Sequence, residues 1–562
     1  MRKKPKKTAE SPPSEKVPGK GRFFWWFLAF LPFACLVLAI VGYGVDIPYI
    51  DQWDQVPLLK KTFEGAFPFR DLWLPHNEHR IVFPQLIIIA LAHLSFWNMY
   101  YEMAMTVIFA SAFFFVLIFL FKRSMRSIGG GEAGWAVPIV SLIVFSLSQW
   151  ESWSMGGQLA VFLGILAFSA AVAFLLTPVF RRRDFIFAGL SAVVSTFSFA
   201  NGLLVWPIGL FVLFCKDKKR LNPSTVSWLL LSVIIVLAYF YGYSAQPGGP
   251  SAGNVFSQPG EYAEYVFKFL GGPLNNIGAA AAFSAGLAGA ALFLSLIFIL
   301  VRIKKIDFQV LLPYLALGFY SLGCAVISGA GRIGFGSDYA LVSRYITFSS
   351  PLWISNVVFL AFFISGKQGS KAGKTISISI LLAVVLLLLS NLRYGELFFN
   401  TRYVYLATAR DEIFSEKNED FLHLLHPSAA VVKEGLASLE RYRLSVYRET
   451  GEPERRISEE ERFERLKSRF GSGLRLNPYL DEVCARLGMI YLKRGSLKEG
   501  EFLWKKALEI NPDYAAGYRN LILYYLYRGN TGEARVYAGK MRDRGLPVDP
   551  EILKAVENKG AP

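Results

Sequence analysis

The chain has 562 residues, 53% of them hydrophobic and 15% aromatic, with a formal net charge of +17. A mean hydropathy of +0.36 excludes an ordinary soluble globular protein and points to a polytopic membrane protein with a smaller soluble part. The basic surplus sits at the ends of apolar stretches and forms no basic face interleaved with aromatics, which argues against nucleic acid as a partner. The cysteines are Cys35, Cys215, Cys324 and Cys484; three lie in apolar runs, so neither a disulfide framework nor a CxxC metal site is apparent.

Residues 1–22 carry Arg2, Lys3, Lys4, Lys6, Lys7, Lys16, Lys20 and Arg22 against Glu10 and Glu15. With Pro and Ser between them they read as a disordered basic tail on the cytoplasmic side. The apolar run over about 23–45 is long enough to cross the bilayer and lacks a convincing cleavage site, so it reads as a retained helix. Residues 46–80, DIPYIDQWDQVPLLKKTFEGAFPFRDLWLPHNEHR, then form a polar island gathering Asp46, Asp51, Asp54, Glu64, Asp71 and Glu78 with His76 and His79. Titratable side chains beside a membrane are costly unless something uses them. The active site is expected here, in a first outer loop over 46–98.

The run 81–97 contains Pro84 and His93 and ends in Trp97. It reads as a helix lying on the outer membrane surface, because only then does the cluster Lys122, Arg123, Arg126 after the next span fall inside. Further spans are expected at about 100–121, 135–149 and 158–180, twice across 185–215 with a turn at Asn201–Gly202, and at about 226–243, 277–301, 307–328, 345–365 and 375–392. The expectation is an all-α membrane domain of about eleven transmembrane helices over 23–392, with only the Arg332/Arg344 pair breaking the positive-inside pattern.

From 393 to 562 charges of both signs appear and the apolar spacing becomes helical, as in a soluble domain. Leu487, Gly488, Tyr491, Trp504, Ala507 and Pro512 fit a tetratricopeptide helix–turn–helix, with Pro478 and Tyr525 each 34 residues from a counterpart and Ala534 in register. Repeats are expected over about 464–547. Their small number suits a structural or docking role, with a protein partner as the alternative.

This order of features resembles the GT-C superfamily of integral-membrane glycosyltransferases. The resemblance rests on Asp51 and Asp54 in IDQWDQ just after the first span, and on HNEHRIVFPQLIIIALAHL as the following surface helix. The appended repeats look like those of tetratricopeptide-bearing O-mannosyltransferases. It implies a polyprenyl-phosphate-linked sugar donor and transfer on the non-cytoplasmic side. An acceptor hydroxyl must lose its proton as it attacks the anomeric carbon, and Asp51 and Asp54 occupy the family's position for that base. The departing lipid phosphate calls for cations, and Arg332 and Arg344 with Tyr345 sit in a glycine-rich outer loop. His76, Glu78, His79 and Arg80 are candidates for sugar or pyrophosphate contact. With Asp54, the two histidines on one helical turn would alternatively hold a divalent metal such as Mg2+ or Mn2+, although no cofactor is certain. Gln149, Trp150, Glu151 and Trp153 are secondary candidates for stacking on a sugar, whereas Asn201 reads as a turn residue and His423 and His426 as ordinary soluble-domain residues. A lipid-linked oligosaccharide ligase or polymerase and a transporter are the competing readings. The spans carry almost no ionisable residues, which disfavours transport. The expected location is a prokaryotic inner membrane, with the N-terminus cytoplasmic and the C-terminal domain periplasmic.

Overall fold

The computed structural model describes residues 20–129, 133–216, 222–243, 254–365, 371–414, 419–448, 458–470 and 477–558. Most of the expected basic tail, and the basic run 217–220, lie outside these residues. All regular elements among the described residues are helical. In chain order they begin with α1 (Lys20–Tyr43), α2 (Val56–Phe63), α3 (Phe69–Trp73), α4 (Val82–Ser95) and α5 (Met99–Ser127). Then come α6 (Ala136–Val144), α7 (Trp150–Ser154), α8 (Leu159–Leu175), α9 (Arg182–Thr196), α10 (Val205–Lys216) and α11 (Pro223–Phe240). The membrane part closes with α12 (Asn254–Ser257), α13 (Pro259–Leu270), α14 (Ala279–Phe298), α15 (Phe308–Arg332), α16 (Ile346–Ser365) and α17 (Lys371–Glu412). The C-terminal region adds α18 (Glu419–Leu425), α19 (Ala429–Tyr442), α20 (Glu459–Arg469), α21 (Leu480–Arg494), α22 (Leu497–Ile510), α23 (Ala515–Tyr527), α24 (Thr531–Asp543) and α25 (Pro550–Asn558).

Among the described residues eight helical stretches are long and apolar enough to cross a bilayer: Phe23–Tyr43, Met99–Ser127, Gly156–Leu175, Pro223–Phe240, Ala279–Ile303, Phe308–Phe335, Ser343–Ser365 and Ser377–Glu412. Their outer faces leave Phe115, Phe119, Ile234, Leu237, Leu294, Phe298, Leu382 and Leu386 exposed. In water each such side chain forfeits about 1.5–3 kcal/mol, so these faces belong in lipid. The chain is a multi-pass membrane protein. Within the bundle α16 is buried almost throughout, apolar on every side as a central helix must be. The remaining three expected segments are shorter. The stretch 135–149 divides into α6 and a 3-10 turn at Leu147–Gln149, while α9 and α10 meet through a 3-10 turn at Ala200–Leu204, at the position expected for the turn. Helix α4 has 14 residues, about 21 Å at 1.5 Å each, too short to cross.

The basic ends gather at one end of the bundle. Arg123 donates to Leu176 O, Lys216 Nζ to Leu175 O (2.7 Å) and Thr177 O (3.1 Å), and Lys122 lies 4.8 Å over the Trp26 ring. The acid island lies at the other end, where α1 has run out and α5 begins. There Asp46 accepts from Met99 N (2.9 Å) and Tyr100 OH donates to Gly44 O (2.6 Å).

The composition changes near residue 393, but the backbone does not. Helix α17 runs unbroken for 42 residues, about 63 Å, so that roughly half of it projects beyond a hydrocarbon layer of about 30 Å. The C-terminal helices dock on this projection. Asn477 donates to Leu397 O (2.9 Å), Arg469 pairs with Asp411, and Arg494 pairs with the buried Glu412, which also accepts from Tyr491 OH (2.9 Å). Helices α21 and α22 form an antiparallel pair closed by Trp504 against Gly488, and α23 and α24 form a second pair around Leu521, Ala534 and Ala538.

Candidate functional site

Asp51 and Asp54 stand on a 3-10 turn, Ile50–Gln55. Residues three apart on such a turn eclipse one another, so the two carboxylates share a face. The chain enters the turn through Ile50 at φ +45, a left-handed backbone that a β-branched residue rarely adopts. The turn is anchored from below by fully buried Trp53.

The second element departs from expectation. His76 and His79 are not on a helical turn. They pair across a tight backbone reversal, His76 N donating to His79 O (2.8 Å) and His79 N to His76 O (3.0 Å), with Asn77 at φ +51. The two imidazoles nevertheless make separate contacts. His76 Nδ1 lies 3.4 Å from Gln55 Nε2, while His79 packs on the Phe199 ring at 3.9 Å with Nδ1 buried and without a hydrogen-bond partner. Burial, followed by the charges of Arg332, His76 and Arg344, pushes the His79 imidazole down to about 3, leaving it neutral.

Arg80, expected to touch substrate, turns away from the site. It is 1% exposed and donates to three backbone carbonyls: Trp73, Tyr239 (2.6 Å) and Tyr241 (2.6 Å). The cause is geometric: the reversal ends at His79, and the next side chain points into the seam between the loop and the end of α11. There it ties the first loop to that helix.

Asp51, His76, Glu78, His79, Arg332, Arg344 and Tyr345 line one cavity of about 370 Å³. Arg332 reaches it from the end of α15 and pairs with Glu78 (Nη2–Oε2 2.5 Å). Arg344 is held by Glu151, which accepts from its backbone N (3.1 Å) and faces its Nη1 (3.4 Å), and it donates to Tyr339 OH (3.2 Å). Leu203, Phe240 and Ile327 supply an apolar wall. Tyr243 closes one side, its OH donating to Glu78 O (3.3 Å).

Asp54 stands just behind. Its carboxyl is raised by burial, against the opposing effects of His426 and His76. One oxygen each of Asp51 and Asp54 and a ring nitrogen of His76 lie within 4.8 Å of one another. Two carboxylates and an imidazole form a donor set suited to a hard divalent cation. The expected metal group of Asp54, His76 and His79 is thereby altered: His79 is held apart against Phe199 and Asp51 takes its place.

The secondary candidates are structural. Trp153 is fully buried and donates to Ser146 O (2.9 Å), Trp150 stacks on Phe398 (5.4 Å), and Gln149 donates to Ile143 O and Val144 O (3.1 Å each). The site uses Glu151, through Arg344, and Asn201 lines the cavity. Sequence reasoning missed Tyr49, Gln55, Gln158 and Tyr243 on the cavity wall and His426 beside Asp54. For Gln55 the signal was available, one residue past Asp54 on the same turn; for the others no local pattern marks them. Comparison with protein-family models, with characterised proteins and with solved structures finds no match for the chain.

Proposed function

We propose that the protein is a membrane glycosyltransferase of the GT-C type, moving a sugar from a polyprenyl-phosphate-linked donor to a hydroxyl acceptor outside the cytoplasm. In this reading α6, α9 and α10 complete about eleven membrane segments. The pairs α21–α22 and α23–α24 are tetratricopeptide units. The single observation that carries the reading is the cavity itself, which the Asp51 carboxylate, the Arg332 and Arg344 guanidinium groups and the apolar Leu203, Phe240 and Ile327 line together, among helices that belong in lipid.

The chemistry follows from that shared lining. The acceptor oxygen bonds to the anomeric carbon while its proton passes to the Asp51 carboxylate. The bond from the anomeric carbon to the donor phosphate oxygen breaks, and its electron pair leaves with the polyprenyl phosphate. Arg332 and Arg344, held in place by Glu78 and Glu151, meet that developing charge without having to reorganise. The apolar wall suits the isoprenoid chain. Asp51, Asp54 and His76 are the residues that would hold a divalent cation, which would supply charge neutralisation at the phosphate.

The test is transfer of radiolabelled sugar from polyprenyl-phosphate donors in membranes containing matched amounts of wild type, Asp51→Asn and Asp54→Asn. Asp51→Asn is expected to lose about a hundredfold or more. Full activity in both variants would overturn the catalytic assignment. Failure of wild type with every donor would sink the enzyme reading and favour a transporter.

A further inference from the structure

The segment after α17 folds back onto the acid island. Helix α19 lies across the turn that carries Asp51 and Asp54, with Gly435 seated on Trp53 so closely that a Cβ there would stand 2.7 Å from Cε3 of the indole. Around this seat, Tyr442 OH donates to Glu64 Oε1 (2.9 Å), Ser445 N donates to Phe96 O (2.8 Å), and Arg448 reaches Asp46 (3.3 Å). The short connection between α18 and α19 is thereby held over the turn. It carries His426, whose Nε2 lies 3.7 Å from Asp54 Oδ1 with the side chain 13% exposed.

The imidazole is oriented by its own backbone. Ser428 N donates to His426 Nδ1 at 3.0 Å, the shorter of the two contacts that Nδ1 makes with Ser428. An Nδ1 that accepts a hydrogen bond leaves the ring proton on Nε2, the nitrogen that faces Asp54. At 3.7 Å the pair is longer than a hydrogen bond, and a small rotation of either side chain would bring it within reach. Asp54 itself is offered no hydrogen-bond donor by the rest of its own turn among the described residues.

We propose that His426, brought from the C-terminal region, is a positioning residue of the candidate site. Through Nε2–H it fixes the orientation of the Asp54 carboxylate and so the shared face that Asp54 makes with Asp51. The region beyond α17 is therefore part of the reacting unit and not an appended module. The inference deepens the glycosyltransferase reading, but it also makes a claim about Asp54 that does not need transfer to be observed.

Two measurements on the full-length protein test it. The first is labelling of Asp54 by a water-soluble carbodiimide with an amine nucleophile, read by peptide mass spectrometry with Asp71 as internal control. His426→Ala is expected to raise labelling of Asp54 about threefold or more and to leave Asp71 unchanged. His426→Gln, whose amide N–H replaces Nε2–H, is expected to return it toward wild type. Tyr442→Phe, which removes another docking contact, is expected to have no effect on Asp54. The second is sugar transfer, where His426→Ala is expected to lower kcat about tenfold with the donor KM little changed, and His426→Gln to recover most of it. Equal labelling of Asp54 in wild type and His426→Ala overturns the proposal. So does an equal rise in His426→Ala and Tyr442→Phe, which would reduce the contact to docking. If wild type transfers no sugar, the function reading fails, while the labelling result still decides the role of His426.

Discussion

His79 shows how a side chain chosen for its chemistry is redefined by what surrounds it. Read along the chain it pairs with His76 as a potential metal ligand; in the fold it is a neutral ring wedged on Phe199, with Nδ1 buried and without a hydrogen-bond partner. Its burial has a measurable consequence. An unfolded histidine takes up a proton near its ordinary value of about 6.5, whereas His79 in the fold resists protonation until about 3. The unfolded state therefore binds more protons between these values, and stability is lost as pH falls below about 6.5. At pH 5 the loss from this residue is about 2 kcal/mol, from roughly 1.5 pH units at 1.36 kcal/mol each. Between pH 7.5 and pH 5, unfolding in detergent is expected to show wild type losing about 2 kcal/mol more, or gaining that much less, than His79→Gln; equal acid sensitivity in both would contradict the assigned burial. Asp51, Asp54, Glu78, Arg332 and Arg344 could be picked out from the sequence because charge beside a membrane is conspicuous. Arg80 was conspicuous for the same reason and is occupied by three carbonyls, a use that residue type alone does not reveal.

At the scale of elements, the long apolar helices were legible because transfer into lipid is a sum over some twenty consecutive side chains and needs no knowledge of neighbours. The shorter pieces were less so. The stretch 135–149 is apolar enough to look like a span, yet it breaks at Phe145–Ser146, where the Ser146 and Ser148 hydroxyls hydrogen-bond (2.7 Å) and Ser146 caps a 3-10 turn. The His76–His79 reversal was invisible because i, i+3 spacing fits a helical turn as well as a tight bend. Helix α19 supplies the sharpest element-level test. Gly435→Val forces a branched side chain into the Trp53 ring at a fixed helix crossing. It is expected to cost about 1–3 kcal/mol and to loosen α19 from the first loop. Hydrogen exchange would register that as faster exchange over 429–442 with α8 and α16 unchanged; an unchanged α19 would refute the close seat.

The whole molecule is held together by the projecting half of α17, on which both the first loop and the C-terminal helices rest. Arg402 on this helix stacks 3.8 Å over Tyr49, a wall of the cavity, and Glu412 further along receives Tyr491 and Arg494 from α21. With both side chains of the Glu412–Arg494 pair almost fully buried, removing Arg494 leaves the carboxylate only a longer ion pair with Arg462 (3.8 Å) and the Tyr491 hydroxyl. Arg494→Ala is expected to cost about 1–3 kcal/mol and to loosen the C-terminal helices from α17, while Arg544→Ala, at an exposed pair with Asp513, is expected to leave that docking unchanged. Limited proteolysis between 414 and 477 would expose the difference; equal resistance in both variants would contradict the docking role of Glu412.

The amino-acid sequence by itself determined the membrane class, the gathering of basic residues at helix ends, the acid island after the first helix and the paired helices near the C-terminus. Each of these is a local property: a run of transfer free energies, a charge density, a helical period. What only the tertiary structure decided is convergence. Glu78 meets Arg332 across 254 positions of sequence, and Asp54 meets a histidine that its local pattern marked as unremarkable. Such contacts depend on which helix faces pack together and how far α17 carries the chain before it folds back. Packing is set by the fit of many side chains at once, and no window of sequence contains it.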